Sequence, residues 1–186
     1  MKIALISDSH DNVANLEKLI DWLNKNQISV LIHAGDLCAP GVLIRTLSPN
    51  YQGQIHLILG NVGDPVLLEK IAAQLSNVKY YGQKGEIEIE NKKIAFVHLK
   101  EEAEKLAAEN KYDFVVFGHT HQPRIQKTQI NADQNTDKRR HISVNWRSNL
   151  PKSALMVNPG TLGGLYNRPT FAIYDTEAET IEIKEL

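Results

Sequence analysis

Lys2-Ile3-Ala4-Leu5-Ile6-Ser7-Asp8-Ser9-His10 opens the chain. It reads as a short buried strand that runs straight into an acid and an imidazole. The pattern recurs. Val30 to His33 is a second apolar run, followed by Gly35-Asp36, and Ile55 to Leu59 is a third, followed by Gly60-Asn61. Lys93 to His98 ends in a histidine, and Phe114 to Phe117 runs into Gly118-His119-Thr120-His121. Five strand ends therefore offer two carboxylates, one amide and four imidazoles. In α/β folds ligands gather at such ends.

Between these strands the spacing predicts helices. Val13, Leu16, Leu19, Ile20 and Leu23 fall on one face of a helix over 13–26, with Asn12 as N-cap. A helix is expected over 41–47. Asp64-Pro65 reads as cap and first turn of another, reaching about Leu75. Glu86 to Glu90 and Lys93 to His98 form a hairpin about Asn91-Lys92, and a helix is expected over 101–110. Strands at 154–157, 170–174 and 180–183 close an α/β chain with substantial antiparallel pairing.

The 186 residues suit one domain over 1–186. A net charge of -1 supplies no field for nucleic acid or membrane surfaces. Cys38 is the single cysteine, which excludes an internal disulfide. The opening apolar run is too short for a signal-peptide core, and no stretch approaches the ~20 apolar residues of a membrane span. A cytoplasmic protein is expected. The segment 126–152 stands apart as an inserted hairpin or arm. Six basic residues oppose Asp133 and Asp137 there, a net +4, and Ile142, Val144 and Trp146 alternate with polar residues.

Imidazole nitrogen mixed with carboxylate oxygen suits first-row transition ions better than magnesium or calcium. Two such ions about 3.5–4 Å apart clamp an in-line displacement at phosphorus, with a bridging hydroxide as nucleophile. The glycines at 35, 60 and 118 let the backbone come close.

The ordered set Ser7-Asp8-Ser9-His10-Asp11-Asn12, Ile32-His33-Ala34-Gly35-Asp36, Gly118-His119-Thr120-His121-Gln122-Pro123 and Asn158-Pro159-Gly160-Thr161 resembles the calcineurin-like metallophosphoesterase superfamily. It is most similar to the small bacterial and archaeal phosphodiesterase branch. The resemblance implies a four-layer α/β/β/α sandwich of two mixed sheets, with two divalent transition-metal ions between their edges. Manganese is first among them, with iron, zinc, nickel and cobalt also suited. By motif, Asp8, His10, Asp36 and His121 would hold one ion, and Asp36, Asn61, His98 and His119 the other. Asp8, Asp36, Asn61 and His119 would carry catalysis.

Two positions depart from the family pattern. Val62 stands where many members place a proton-donating histidine, and Leu99 follows His98 in place of glycine and a second histidine. Esters whose leaving group needs little help are therefore expected to be preferred. Arg139, Arg140 and His141 are candidate substrate contacts. The alternative for their segment is a surface arm, or a homodimer contact through Trp146. His33 is open between a role behind the ligands and simple packing. His56, Cys38, Asp64 and Lys100 read as structural or solvated. Rival functions are a phosphoesterase-like scaffold for protein contacts and a nuclease using the basic segment. The near-neutral total charge disfavours the nuclease.

Overall fold

The computed structural model describes residues 1–127, 143–145 and 154–186. Two mixed sheets lie face to face. The first orders its strands Val78–Tyr80 (β4), Gln54–Leu57 (β3), Val30–His33 (β2), Lys2–Ile6 (β1), Thr170–Asp175 (β11), Thr180–Glu185 (β12) and Ser143–Asn145 (β9). The second orders Lys84–Ile89 (β5), Lys92–Val97 (β6), Phe114–Val116 (β7), Leu155–Asn158 (β10) and Arg124–Lys127 (β8). In the first, β1 to β4 run parallel and β11 turns the sheet antiparallel. In the second, β6, β7 and β10 run parallel.

Strand alternation builds the layers. On β1, Ile3 and Leu5 face the second sheet, where they meet Phe96, Phe114, Val116 and Val157. Ala4 and Ile6 face outward beneath helix α1, Val13–Lys25, whose Leu16, Leu19, Ile20 and Leu23 are buried. On the far side Ala95, Val97, Val115 and Phe117 pack under helix α5, Lys100–Ala108. The result is the expected four-layer α/β/β/α sandwich, with apolar faces that water cannot reach.

Helix caps follow the sequence. Asn12 Oδ1 accepts from Asn15 N at 3.1 Å, and Asp64 Oδ1 accepts from Leu67 N at 3.0 Å. The helix after Asp64 (α4, Pro65–Ala72) stops before Leu75, the expected end. The helix expected over 41–47 is longer and irregular. It runs as α2, Pro40–Val42, a π-turn at Leu43–Leu47, and α3, Ser48–Asn50. Ser48 N–H reaches back to Leu43 O, just ahead of Pro49, which has no N–H to continue a regular register.

Lys127 ends an edge strand of the second sheet, and 143–145 form an edge strand of the first, with Val144 opposite Ile181. The rest of the expected arm, with Arg139, Arg140, His141 and Trp146, lies outside the described residues. Among the described residues no helix is long and apolar enough to cross a membrane.

Candidate metal centre

The parallel strands of both sheets point their carboxyl ends the same way, so their following loops meet. Gly118 N donates to His98 O at 3.0 Å, Asp8 N to Gly35 O at 3.0 Å and Leu162 N to Ser7 O at 3.0 Å. These backbone bonds tie the loop after β6 to that after β7, and the loops after β1, β2 and β10 to one another. A β-carbon at Gly118 would overlap Ser7 Oγ and stand 2.7 Å from Asp8 Oδ2, so only glycine allows this approach. Gly60, at φ +88°, lets its chain pass directly against the Asp36 carboxylate.

All seven candidate donor residues converge there. His10 Nε2 lies 3.1 Å from His121 Nε2, which lies 3.2 Å from Asp8 Oδ1. His98 Nε2 lies 3.3 Å from Asp36 Oδ2 and 2.8 Å from Asn61 Oδ1. His119 Nδ1 also reaches Asn61 Oδ1, at 2.8 Å. His10 Nε2 stands 3.8 Å from Asp8 Oδ1 and 4.0 Å from Asp36 Oδ2, which brings the two subsets together. Atoms bound to one ion at about 2.1 Å stand roughly 3.0–3.4 Å apart, and the His10–His121, His121–Asp8 and His98–Asp36 spacings fall in that range. Two groups, Asp8–His10–His121 and Asp8–Asp36–His98, each have the compactness to hold a cation.

The surroundings aim the donors. His98 Nδ1–H donates to Ala34 O at 2.9 Å and His121 Nδ1–H to Leu165 O at 3.4 Å, which leaves each Nε2 lone pair facing the centre. Asp36 Oδ1 accepts from Asn61 N at 2.9 Å and Val62 N at 3.2 Å, which turns Oδ2 toward His98 Nε2 and the centre. His119 N–H donates to Asp8 Oδ2 at 3.0 Å. Asp8, His10, Asp36, His119 and His121 all hold φ between 42° and 66°, a region such residues seldom occupy. Strain of this kind persists where the surroundings over-determine it, as at ligand clamps.

Electrostatics agrees. Asp8 and Asp36 are buried. Among the described residues, only His10, His98 and His121 stand within ion-pair distance of them. Burial pushes the Asp8 carboxyl above its ordinary range, against the opposing pull of Ser7, His98 and His121. Burial also acts upward on Asp36. There the hydrogen bond and charge of His98 and the Asn61 and Val62 N–H groups win, and the carboxyl falls below its usual range. Burial acts against the charged form of His98, but Asp36, Ala34 O and Asp8 outweigh it and raise its pKa. Two buried carboxylates with no lysine or arginine beside them among the described residues call for a cation.

Some residues about the site gave little or no signal of this role in the sequence. Ser9 Oγ bonds His33 Nε2 at 3.0 Å, so His33 stands directly behind the Asp8–His10 turn. Thr161 Oγ1 donates to Asp8 O at 2.9 Å, and Asn158 Nδ2 donates to Gly118 O at 2.9 Å. Asn12 does more than cap, since its Nδ2 donates to Gly163 O at 3.0 Å. Cys38 Sγ lies 3.6 Å from His10 Nδ1, though burial and the Asp11, Asp36 and Asp8 charges push its thiol up to about 11 and keep it protonated. His56 pairs with Tyr81 OH at 2.8 Å, and Lys100 with Glu104 at 3.2 Å, as structural and solvated side chains.

The family model of the calcineurin-like phosphoesterase superfamily domain matches residues 1–179. The chain belongs to that superfamily. It is a metal-dependent phosphoesterase, a hydrolase of phosphoric esters. A phosphodiesterase of Methanocaldococcus jannaschii is 25% identical over 181 residues, 95% of this chain and 94% of that protein. The solved structure of a novel archaeal phosphodiesterase superposes with a TM-score of 0.80 at 25% identity, covering 100% of both chains. Zinc-complexed Vps29 from Entamoeba histolytica shares the fold, with a TM-score of 0.63 at 17% identity over 98% of this chain and 90% of its own.

Proposed function

We propose that this phosphoesterase hydrolyses small phosphodiesters with two divalent transition-metal ions, manganese first among the candidates. Asp8, His10, Asp36 and His121 hold one ion, Asp36, Asn61, His98 and His119 hold the other, and Asp36 is shared. The observation that carries this reading is the convergence of all seven side chains on one point, five of them in two groups compact enough to hold a cation. The diester preference is supported by the names of the archaeal sequence relative and of the archaeal structure. The single cysteine supports a cytoplasmic place of work.

When bound, such ions lower the pKa of water and offset the charge that develops on phosphoryl oxygens. The residues of the chain position everything else. Asp36 is fixed by two backbone N–H groups, so its second oxygen keeps one direction. Asn61 and His119 are the donor residues most open to solvent, and they stand where a substrate enters. Val62 offers only its backbone N–H, already given to Asp36, so no side chain at this position protonates the leaving group. Acidic leaving groups, such as aryl oxides, fit that arrangement. The scaffold reading is disfavoured because no donor of the set is missing.

The test is hydrolysis of bis-p-nitrophenyl phosphate and p-nitrophenyl phosphate by manganese-loaded protein. The diester should be the better substrate, and Asp36→Ala should lose more than about 100-fold in rate. Full activity in Asp36→Ala would end the proposal.

A further inference from the structure

Tyr166 is 96% exposed and holds φ at +63°, in the segment that covers one side of the metal centre. Both features are unfavourable for a tyrosine. Positive φ costs a bulky residue free energy that glycine or asparagine would avoid. A fully exposed aromatic ring gains nothing from burial. The segment itself is firmly held. Leu162 N donates to Ser7 O at 3.0 Å and Gly163 N to Asp8 O at 2.8 Å. Asn12 Nδ2 and Asn15 Nδ2 donate to Gly163 O and Leu162 O. Asn167 Nδ2 donates to His121 O at 3.0 Å. The residues on either side of Tyr166 therefore bond to His121, through Leu165 O and Asn167 Nδ2. The two rings stand 6.2 Å apart, tilted by 36°. Leu165, 46% exposed, widens the apolar face.

We propose that Tyr166 is a specificity-determining residue whose ring receives the planar aromatic part of a group esterified to the phosphate, either an aryl group or the base of a nucleoside. This rests on the phosphoesterase reading and names its substrate class. A phosphate held at the His10–His121 side of the centre would carry its substituent past His121, whose ring stands 6.2 Å from that of Tyr166. Aromatic groups prefer an offset or edge contact with such a ring, and the contact needs no hydrogen-bond code. Val62 agrees independently for the aryl arm, because an aryl oxide leaves without a proton donor.

The experiment measures binding apart from turnover. Calorimetry on manganese-loaded protein would compare benzylphosphonate with ethylphosphonate, neither of which has an ester bond to cleave. Wild type should bind the aryl compound about 3- to 10-fold more tightly. Tyr166→Phe should keep that ratio and Tyr166→Asn, which suits the backbone angle, should abolish it. An unchanged ratio in Tyr166→Asn, or no aryl preference in wild type, would overturn the proposal. The binding ratio stands or falls whether or not bis-p-nitrophenyl phosphate is hydrolysed, so the two readings fail separately. KM for thymidine 5′-p-nitrophenyl phosphate against methyl p-nitrophenyl phosphate then distinguishes a nucleobase from the aryl group.

Discussion

His10 Nε2 and His121 Nε2 face each other at 3.1 Å, although 111 residues separate them in the chain. The His121 proton is engaged at Nδ1 by Leu165 O, so its Nε2 presents a lone pair. His10 Nε2 meets that lone pair at a distance that places a proton or a cation between the two nitrogens. With Asp8 Oδ1 at 3.2 Å on the same side, a divalent ion is the natural occupant. His10→Ala and His121→Ala should each retain one manganese ion per chain where wild type retains two. Mass spectrometry of desalted native protein counts them directly.

Close approach at Gly118 predicts an intolerance that is not about metal. Gly118→Ala must displace Ser7 Oγ and crowd Asp8 Oδ2. It should cost about 1–3 kcal/mol in chemical denaturation of the metal-free protein, the usual range for overpacking. Gly41 has open space at its β-carbon position, so Gly41→Ala should be near neutral in the same assay.

Acid should expose His33. Burial holds this imidazole neutral, with its pKa lowered to about 3 from 6.5. The unfolded chain then binds one more proton than the folded chain between those values. Stability is thus complete above pH 6.5 and falls with pH toward about 3, by up to roughly 1.4 kcal/mol per unit from this group. His33→Gln, which cannot titrate, should flatten the slope by one proton in metal-free denaturation curves. An unchanged slope would show that His33 is charged in the fold.

Val62 sets the leaving-group range. Its backbone N–H serves Asp36, and its side chain gives no proton. Val62→His keeps the backbone bond and adds a donor, so it should raise the rate on alkyl diesters by about 10-fold. That is below the span of a well-placed general acid, and aryl diesters should change little. The ratio of the two rates reports the effect independently of protein concentration.

Most of the donor set was legible because each donor follows a buried apolar strand, and such runs read clearly. Lys2–Ile6 and Val30–His33 match the expected strands almost to the residue. Two of the edge strands were not legible. Val78–Tyr80 is only partly buried, and Arg124–Lys127 is polar, so neither carries a strong apolar pattern. The links behind the site were hidden for another reason. Thr161 to Asp8 and Asn15 to Leu162 are side-chain bonds to backbone across about 150 residues, and nothing in local sequence marks them. Tyr166 carries no signal in the sequence, because neither its exposure nor its backbone angle is written in composition.

Crystals grown with manganese and measured at the manganese absorption edge test the ion pair most directly. The account expects two anomalous peaks about 3.5–4 Å apart, with Asp36 between them and the imidazoles of His10, His98, His119 and His121 around them. A single peak, or peaks away from Asp36, would contradict it.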